Sequence, residues 1–285
     1  MNLVRLNPSQ FERFRDFVYA KSGIRIPPNQ VTMLSNRIRR RLKAGEFDDF
    51  DAYYSYLTGP GAGRELEHFL DSITTNETSF FRTPHHFDWI RGEFLDEMVA
   101  QARRGERPQS LRLWSAGCAT GAEPYTIAIC LKENLYRLRG WDLTIVGTDI
   151  SQEALRAAQD GAFAPRALTC FENERDLRRH FVAAERAEHW RVRPDVRELV
   201  VFENHNLMQP MVRAPFDCVF IRNVLIYFDR ASKETAIHNL IQAMAPGGYL
   251  VVGPSEGIYD MLDPLERIHP FVYRKVDHRP AGGVS

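Results

Sequence analysis

Hydrophobic residues recur at every third or fourth position through the first 75 residues, which predicts helices. Asn7 is suited to cap the first helix with Pro8 at its first position, and Gly23 is suited to end it. No strand pattern precedes residue 110. We therefore predict an all-helical domain over residues 1–75, joined by a linker and a connecting helix over 76–110. Its other helices are predicted from apolar faces that run from Val31 to Leu42, from Phe50 to Leu57 and from Leu66 to Ile73.

Short apolar runs alternate with helical patterns after residue 110, and this alternation predicts a parallel sheet with helical crossovers. Helices are predicted to begin near Pro124, to follow Ser151, and to cover about 230–244. The resulting α/β domain spans 111–278, and the tail at 279–285 is predicted to be disordered. The strand candidates are, in chain order, LRLWSAG, LTIVGTD, VVFENHNL, FDCVFIRN and, after an APGG turn, YLVVG.

The segment from about 162 to 202 interrupts that alternation. It is polar and contains Pro165 and Pro194, which do not fit a regular strand or helix. Its pattern favours a short antiparallel hairpin near 188–204. We therefore predict a small antiparallel β-subdomain inserted into the α/β domain.

The composition and charge are those of an ordinary globular protein and narrow the possible partners. Hydrophobic residues make up 44% of the 285 and charged residues 26%. Because 37 Lys and Arg balance 37 Asp and Glu, no overall charge favours nucleic acid or an anionic membrane. The four cysteines form no C-x-x-C pair, so we expect neither a disulfide framework nor a bound metal. We find no secretory signal and no apolar run long enough to span a membrane, so we expect a cytoplasmic monomer.

Polar residues follow four consecutive strand candidates. The first strand leads into the glycine-containing loop Ser115–Gly121, the second ends in Asp149, the third in Asn206 and the fourth in Arg222-Asn223. In open parallel sheets, ligands bind in the crevice beyond the carboxyl ends of the strands. A single such residue could be only a helix cap, but four strands ending in this way predict a ligand site.

The spacing of these residues narrows the class of ligand. Gly117 and Gly121 are spaced G-x-x-x-G, which differs from the G-x-G-x-x-G of dinucleotide-binding proteins, and no P-loop motif is present. An ionised Asp149 can accept hydrogen bonds from two adjacent ribose hydroxyls. A nucleoside without a phosphate fits this combination, and S-adenosylmethionine is the common ligand of that kind. The alternative is that the glycines only form a tight turn between a strand and a helix.

Five segments of the chain together resemble the chemotaxis receptor methyltransferase (CheR) family, and the resemblance extends over nearly the whole chain. It implies a class I methyltransferase fold, a Rossmann-like and mainly parallel sheet with an inserted small antiparallel β-subdomain, preceded by a small all-helical domain. It also implies methyl transfer from S-adenosylmethionine to glutamate side chains of methyl-accepting chemotaxis receptors, which gives methyl esters and S-adenosylhomocysteine. The segments are TTNETSFFR (74–82), LWSAGCATGAEPYTIAI (113–129), GTDIS (147–151), NHNLMQP (204–210) and FDCVFIRNVLIYFD (216–229).

The same resemblance assigns roles to individual residues. Arg82 and Tyr227 would position the reacting carboxylate, and because a glutamate is already ionised at neutral pH, no general base is needed. The alternatives are a structural salt bridge for Arg82 and a core position for Tyr227. Residues 162–200 do not match the pattern of members that bind a receptor's C-terminal pentapeptide. Together with the glycine loop, the resemblance gives as cofactor-binding residues Asn76, Thr78, Arg82, Gly117, Glu123, Asp149, Asn206, Leu207, Arg222 and Asn223.

A basic segment in the predicted second helix suggests how the protein substrate is bound. Five of the seven residues from 37 to 43 are cationic. If Leu34, Ile38 and Leu42 are buried, the side chains of Arg37, Arg40 and Arg41 are neighbours on the helix surface. The resemblance implies that they bind the glutamate-bearing cytoplasmic helices of the receptors. The alternative is an ordinary solvated helix face.

Two other functions use the same cofactor site. A nucleic-acid methyltransferase is disfavoured, because Arg222–Leu225 is not the proline-aromatic turn of adenine-N6 enzymes and no Pro-Cys pair for cytosine C5 is present. A non-catalytic sensor that binds a nucleoside would carry the same binding residues. The sequence does not distinguish that sensor from an enzyme.

Overall fold

The computed structural model describes residues 5–213 and 215–276, and the helices predicted for the first 75 residues are confirmed. The Asn7 side chain accepts from the backbone N–H of Gln10, Pro8 begins the first helix, and Gly23 ends it with a positive φ of 74°. Phe14 and Tyr53 lie in the core between the helices, where Phe14 packs edge-on against Tyr54 at 5.1 Å. The helices are α1 (Pro8–Ser22), α2 (Val31–Ala44), α3 (Phe50–Thr58) and α4 (Gly63–Ile73).

A second helical segment follows the loop at 74–82. It consists of α5 (His85–Trp89), a π-helical turn over Ile90–Phe94, and α6 (Leu95–Arg103). Trp89 packs against Tyr249 of the sheet, with ring centroids 5.2 Å apart. This helical segment packs on one face of the sheet.

The strands form two sheets. In the described residues, the larger sheet has the order β6-β2-β1-β7-β8-β10-β9, and β10 runs antiparallel to both of its neighbours. The five strands on the other side are parallel. This is the predicted class I methyltransferase fold. The strands are β1 (Ser110–Ala116), β2 (Asp142–Asp149), β3 (Ala162–Phe163), β4 (Phe181–Ala183), β5 (Trp190–Val192), β6 (Val200–Asn204), β7 (Phe216–Ile221), β8 (Met244–Val252), β9 (Leu265–His269) and β10 (Val272–Lys275).

Helices lie on the connections from β1 to β2, from β2 to β6 and from β7 to β8, and the carboxyl ends of the parallel strands meet at one edge. From β1 the chain continues to β2, which lies on one side of β1, and it later forms β7 on the other side of β1. A crevice therefore forms beyond the carboxyl end of β1. Trp114 of β1 and Val146 of β2 are fully buried between the layers. The remaining helices are α7 (Ala122–Glu133), α8 (Gln152–Asp160), α9 (Glu174–His180), α10 (Pro194–Arg197) and α11 (Arg230–Ala243).

The inserted segment forms the smaller, antiparallel sheet, with the order β3-β5-β4. The prediction of a hairpin near 188–204 is wrong in position, because β5 pairs with β4 at Phe181–Ala183. Pro194 begins α10 directly after β5, and Val200–Asn204 then joins β2 in the parallel sheet. More residues of β6 pair with β2 in the larger sheet than could pair with the shorter strand β5 in a hairpin.

Two smaller predictions also concern the end of the chain. The APGG segment is not a separate turn, because it lies within β8, where pairing with β7 jumps from Met244 to Tyr249. The predicted disordered tail at 279–285 lies outside the described residues. Over the ranges that the structure describes, we find no helix that is long and apolar enough to cross a membrane.

Candidate active site

A cavity lies at the carboxyl ends of β1, β2, β6 and β7, between the sheet and the helical domain. It holds about 1020 Å³ of space free of protein atoms, part of it open to solvent. Ser22 and Ile24, at the end of α1, form part of its wall. All the residues predicted for the cofactor and for catalysis line this one cavity: Asn76, Thr78, Arg82, Gly117, Glu123, Asp149, Asn206, Leu207, Arg222, Asn223 and Tyr227.

The glycine loop between β1 and α7 is held in a compact form. Gly117 and Gly121 have φ values of 72° and 91°, which favour glycine. A Cβ on Gly117 would lie 2.4 Å from Cγ2 of Val224, and one on Gly121 would lie 2.8 Å from Cβ of Ala158. Both glycines are therefore required for packing, so their presence does not depend on a ligand. Of the two, Gly117 lines the cavity, together with the next two residues of the loop.

Asp149 lies at the end of β2 and is 8% exposed. One carboxylate oxygen accepts from the N–H of Ala119 and the other from the N–H of Ser151, both at 2.9 Å. Burial raises the pKa of Asp149, and the hydrogen bonds from these backbone groups oppose that shift. Each oxygen keeps a further lone pair, so the carboxylate can hold the loop and still accept from ligand hydroxyls.

Two predicted asparagines also make contacts within the protein. The Asn76 amide donates to Oγ of Ser151 at 3.3 Å. Asn206 lies two residues beyond β6, and its side-chain nitrogen donates to the carbonyl of Lys21 at the end of α1, at 2.7 Å. Its oxygen accepts from the N–H of Met208. Asn206 therefore ties the helical domain to the edge of the cavity.

A buried ion pair joins α7 to the end of β7. Nη1 of Arg222 lies 2.9 Å from Oε2 of Glu123, and the two side chains are 2% and 12% exposed. Oε1 of Glu123 accepts from the Ser115 hydroxyl at 2.7 Å. Nη2 of Arg222 donates to the main-chain carbonyl of Arg82, and the guanidinium lies over the Phe87 ring. Both predicted cofactor residues thus also hold the loop that carries Arg82.

Arg82 occupies a strained loop. The residues on either side of it, Phe81 and Thr83, have φ values of 48° and 63°, which non-glycine residues rarely adopt. The Arg82 residue is exposed and lines the cavity. Within residues 5–213 and 215–276, the guanidinium of Arg82 forms no ion pair with an acidic side chain. The alternative of a structural salt bridge for Arg82 therefore has no support in these residues. Strain of this kind is concentrated at functional sites.

Tyr227 lies at the rim of the cavity and is 39% exposed. This exposure does not fit the alternative of a core tyrosine. Its carbonyl accepts from the N–H of Arg25 at 2.9 Å, and the next residue, Phe228, forms a β-bridge with Ile24. The segment after α1 therefore fixes the backbone that carries the Tyr227 hydroxyl.

Arg37, Arg40 and Arg41 of α2 are not themselves lining residues of the cavity, but Arg37 contacts residues that are. The surroundings of the three differ. Arg41 makes a two-pronged hydrogen bond to Glu65, at 2.9 and 2.7 Å. Arg37 donates to the carbonyls of Ile73 and Thr74 at the end of α4. Of the three residues predicted to bind the protein substrate, Arg40 is the exposed one. The structure thus gives Arg37 and Arg41 roles in joining α2 to α4.

The sequence interpretation missed Glu256, which is fully buried behind the cavity wall. Its carboxylate accepts from the backbone N–H groups of Asn223 and Leu225. A signal was present, because Glu256 follows the fifth predicted strand, YLVVG, as the other site residues follow theirs. That signal is weaker than the others, because two residues, Pro254 and Ser255, separate Glu256 from the end of the strand pattern.

The chemistry of the cavity fits S-adenosylmethionine. Asp149 lines the cavity with a carboxylate, a group that can accept hydrogen bonds from vicinal hydroxyls such as those of a ribose. Two buried nitrogens of lining residues, Nε of Arg222 and Nε2 of His205, have no hydrogen-bond partner in the part of the chain that the structure describes. In that same part, no group of three or more His, Cys, Asp or Glu side chains is arranged to hold a metal ion.

Comparison with known proteins gives matches over both parts of the chain. Residues 76–270 match the model of the CheR methyltransferase SAM-binding domain, and residues 9–74 match that of the CheR methyltransferase all-alpha domain. Chemotaxis protein methyltransferase 2 of Vibrio cholerae is 32% identical over 262 residues, which cover 90% of this chain and 88% of that protein. The chemotaxis protein methyltransferase of Salmonella typhimurium is 33% identical, with 90% and 86% covered. That of Escherichia coli is also 33% identical, with 88% and 85% covered.

The two family models together span most of the described chain, and their junction falls in the loop between α4 and α5. The cavity lies between the two matched regions and is lined by residues of both. On these grounds the chain belongs to the CheR methyltransferase family and contains its S-adenosylmethionine-binding domain.

Proposed function

We propose that this protein transfers the methyl group of S-adenosylmethionine to glutamate side chains of methyl-accepting chemotaxis receptors. The observation that carries the proposal is the convergence of all the predicted cofactor and catalytic residues on one cavity. Arg82 and Tyr227 are the two among them that combine a polar terminus with exposure. A cavity with a buried polar interior and these two groups toward solvent suits a small methyl donor and a large protein acceptor.

The reaction needs little from the protein beyond positioning. When bound, S-adenosylmethionine supplies a methyl group on a positively charged sulfur, which is already activated for displacement. The acceptor carboxylate has an ordinary pKa near 4.3, so it is ionised at neutral pH and needs no general base. Holding the two reactants in line is worth about 7–11 kcal/mol in ideal cases. This is consistent with a site that offers orienting groups and no catalytic triad.

Arg82 and Tyr227 are the proposed orienting groups. The guanidinium of Arg82 offers a planar fork of N–H donors that matches the geometry of a carboxylate. The Tyr227 hydroxyl can donate one hydrogen bond to the same group. Tight binding of the carboxylate alone would stabilise the ground state, so the role of both residues is to fix its direction.

For docking of the receptor, we propose the exposed part of α2. Arg40 and Lys43 are exposed on this helix, whereas Arg41 is neutralised by Glu65. A glutamate-bearing helix is acidic, and a cationic surface attracts it most strongly at low ionic strength. Since the methylated helices of such receptors are cytoplasmic, the proposed function requires the enzyme in the cytoplasm.

The deciding experiment identifies the chemical bond that is formed. The protein is incubated with methyl-labelled S-adenosylmethionine and a receptor cytoplasmic fragment, and the product is then treated with alkali. A glutamate methyl ester releases volatile labelled methanol, whereas methylated bases or amines retain the label. Label that stays on the acceptor, or no transfer at all, would contradict the proposal.

Membership of the CheR methyltransferase family favours neither a nucleic-acid methyltransferase nor a non-catalytic sensor.

A further inference from the structure

Glu256 is a buried carboxylate to which the reaction itself assigns no role. It follows β8 and is 0% exposed. One of its oxygens accepts from the N–H of Asn223, and the other accepts from the N–H of Leu225 at 2.8 Å. Burial raises the pKa of Glu256, and the hydrogen bonds from these backbone groups oppose that shift. A buried carboxylate without such partners would be strongly unfavourable, so this contact is the reason that it is tolerated.

The backbone that Glu256 holds is strained and carries two site residues. Asn223 has a φ of 59°, in the left-handed region, and lines the cavity. The chain then forms a short 3-10 turn over Leu225–Tyr227, which ends at the proposed orienting tyrosine. Left-handed residues persist only where the surroundings hold them. The carboxylate of Glu256 holds the start of this turn, because its two oxygens accept from the N–H groups of Asn223 and Leu225.

The surroundings of Glu256 are built to keep it there. A Cβ on Gly253 would lie 2.6 Å from Oε1 of Glu256 and 3.2 Å from Cα of Arg222, so only glycine leaves room for the carboxylate. From α11, Nζ of Lys233 donates to the carbonyl of Glu256 at 2.6 Å. The loop after β8 is therefore fixed on both sides of the carboxylate.

We propose that Glu256 is a positioning residue for the methyl-donor site, acting through the turn that begins at Asn223. This inference rests on the proposed function, since it takes the cavity as the site of S-adenosylmethionine and its product. Glu256 touches neither the ligand nor the acceptor. It holds Asn223 in the conformation that faces the ligand and sets the direction in which the chain continues to Tyr227.

The test compares Glu256→Gln with a control variant at a partly buried carboxylate, Asp217. Asp217 accepts from Nη2 of Arg107 and from the N–H of Arg112, both at 2.8 Å, at the opposite end of β1 and β7. Asp217→Asn thus weakens a carboxylate contact that also includes a backbone N–H, far from the cavity. Affinity for S-adenosylhomocysteine is measured by calorimetry for the wild-type protein, for both variants, and for each of the three in an Asn223→Ala background.

We expect Glu256→Gln to bind S-adenosylhomocysteine about tenfold more weakly, the scale set by one disrupted buried hydrogen bond, and Asp217→Asn to bind as the wild type does. In the Asn223→Ala background, Glu256→Gln should cause no further loss, because the turn then has no side chain to position. A merely structural role would give equal losses in both backgrounds. If Glu256→Gln does not fold, Gly253→Ala displaces the carboxylate without changing its charge and should show the same weakening.

Three results would overturn the proposal, and each has a different meaning. Wild-type affinity in Glu256→Gln would show that the contact with Asn223 does not matter for the ligand. Equal losses with and without the Asn223 side chain would show that Glu256 acts elsewhere. No binding by the wild-type protein would refute the proposed function itself, and the inference with it.

Discussion

Arg222 donates a hydrogen bond from Nη2 to the main-chain carbonyl of Arg82, although 140 residues separate them in the chain. Its Nη1 atom is paired with Glu123, which in turn accepts from Ser115 at the end of β1. The loop that carries the proposed orienting arginine is thus connected to the first strand of the sheet. A change in this ion pair is expected to affect both stability and the geometry of the site.

Glu123→Gln should lower the free energy of unfolding by about 3 kcal/mol, because it leaves the buried guanidinium of Arg222 without a counter-charge. Urea denaturation followed by circular dichroism measures the change. Asp260→Asn is the matched control, because it removes the counter-charge of Arg230, an arginine whose side chain is exposed. The control should unfold at the wild-type urea concentration. A Glu123→Gln protein as stable as the control would show that the buried pair contributes nothing net.

Asp149→Asn should weaken binding of S-adenosylhomocysteine by about 1.5–3 kcal/mol, the range for hydrogen bonds to a charged group. The amide still offers one acceptor to the glycine loop, so the fold is expected to persist. Because burial raises the pKa of Asp149 above 3.8, wild-type affinity should fall as the pH is lowered through that raised pKa.

The affinity of Asp149→Asn should not show this acid loss, because the amide does not titrate. Calorimetry at several pH values measures both proteins. An Asp149→Asn variant that binds as tightly as the wild type would remove Asp149 from the ribose site.

Tyr227→Phe should reduce turnover about tenfold, because the proposed hydrogen bond to the reacting carboxylate is lost. Affinity for S-adenosylhomocysteine should stay at the wild-type value, since the ring is retained. Tyr136→Phe removes a hydroxyl from an exposed tyrosine outside the cavity lining and should leave both quantities unchanged. Equal turnover in all three proteins would assign Tyr227 a packing role only.

Reversal of the exposed charges on α2, in an Arg40→Glu/Lys43→Glu double variant, should weaken capture of the receptor fragment. The effect should appear as a higher KM for the receptor that is largest at low salt, with the affinity for S-adenosylhomocysteine intact. Arg37 and Arg41 are left unchanged, because their contacts with α4 and Glu65 would make their reversal a test of folding.

An Arg103→Glu/Arg139→Glu variant is the control for this charge reversal. Both arginines are exposed and precede β1 and β2, at the end of the sheet opposite the cavity. The control changes the net charge by the same amount and should keep the wild-type KM. If both double variants raise the KM equally, only the overall charge matters and α2 is not the docking surface.

His86 should make the fold sensitive to acid. Burial, followed by the nearby charges of Arg222 and His85, lowers the pKa of His86 from 6.5 to about 3. Between these values the unfolded chain binds a proton that the folded protein does not, so the free energy of unfolding falls as the pH falls. The slope from this residue approaches about 1.4 kcal/mol per pH unit below pH 6.

His86→Phe should flatten this dependence, because Phe preserves the stacking against Phe271 and does not titrate. His238→Gln, at an exposed position, should leave the slope unchanged. Urea midpoints measured from pH 7 to pH 4 provide the comparison. A slope that His86→Phe does not alter would assign the acid sensitivity to other groups.

Local signals in the sequence by themselves determined much of the fold. The side chain of Asn7 caps α1, and that of Ser151 caps α8, because a capping bond joins residues only three positions apart. The alternation of strands and helices predicted the parallel sheet. It also predicted that Asp149 and Arg222-Asn223 would meet, since the carboxyl ends of parallel strands share one edge.

Only the tertiary structure decided how the site residues are held and which charges are free. The basic pattern of α2 did not reveal that Arg41 pairs with Glu65, which is 24 residues away in the chain. The role of Glu256 depends on a turn 33 residues earlier, and the position of the inserted hairpin depends on β2 offering a better partner to residues 200–204. Helix caps and hydrophobic periods act over a few residues, whereas a buried charge is satisfied by whichever group the folded chain brings within hydrogen-bond distance.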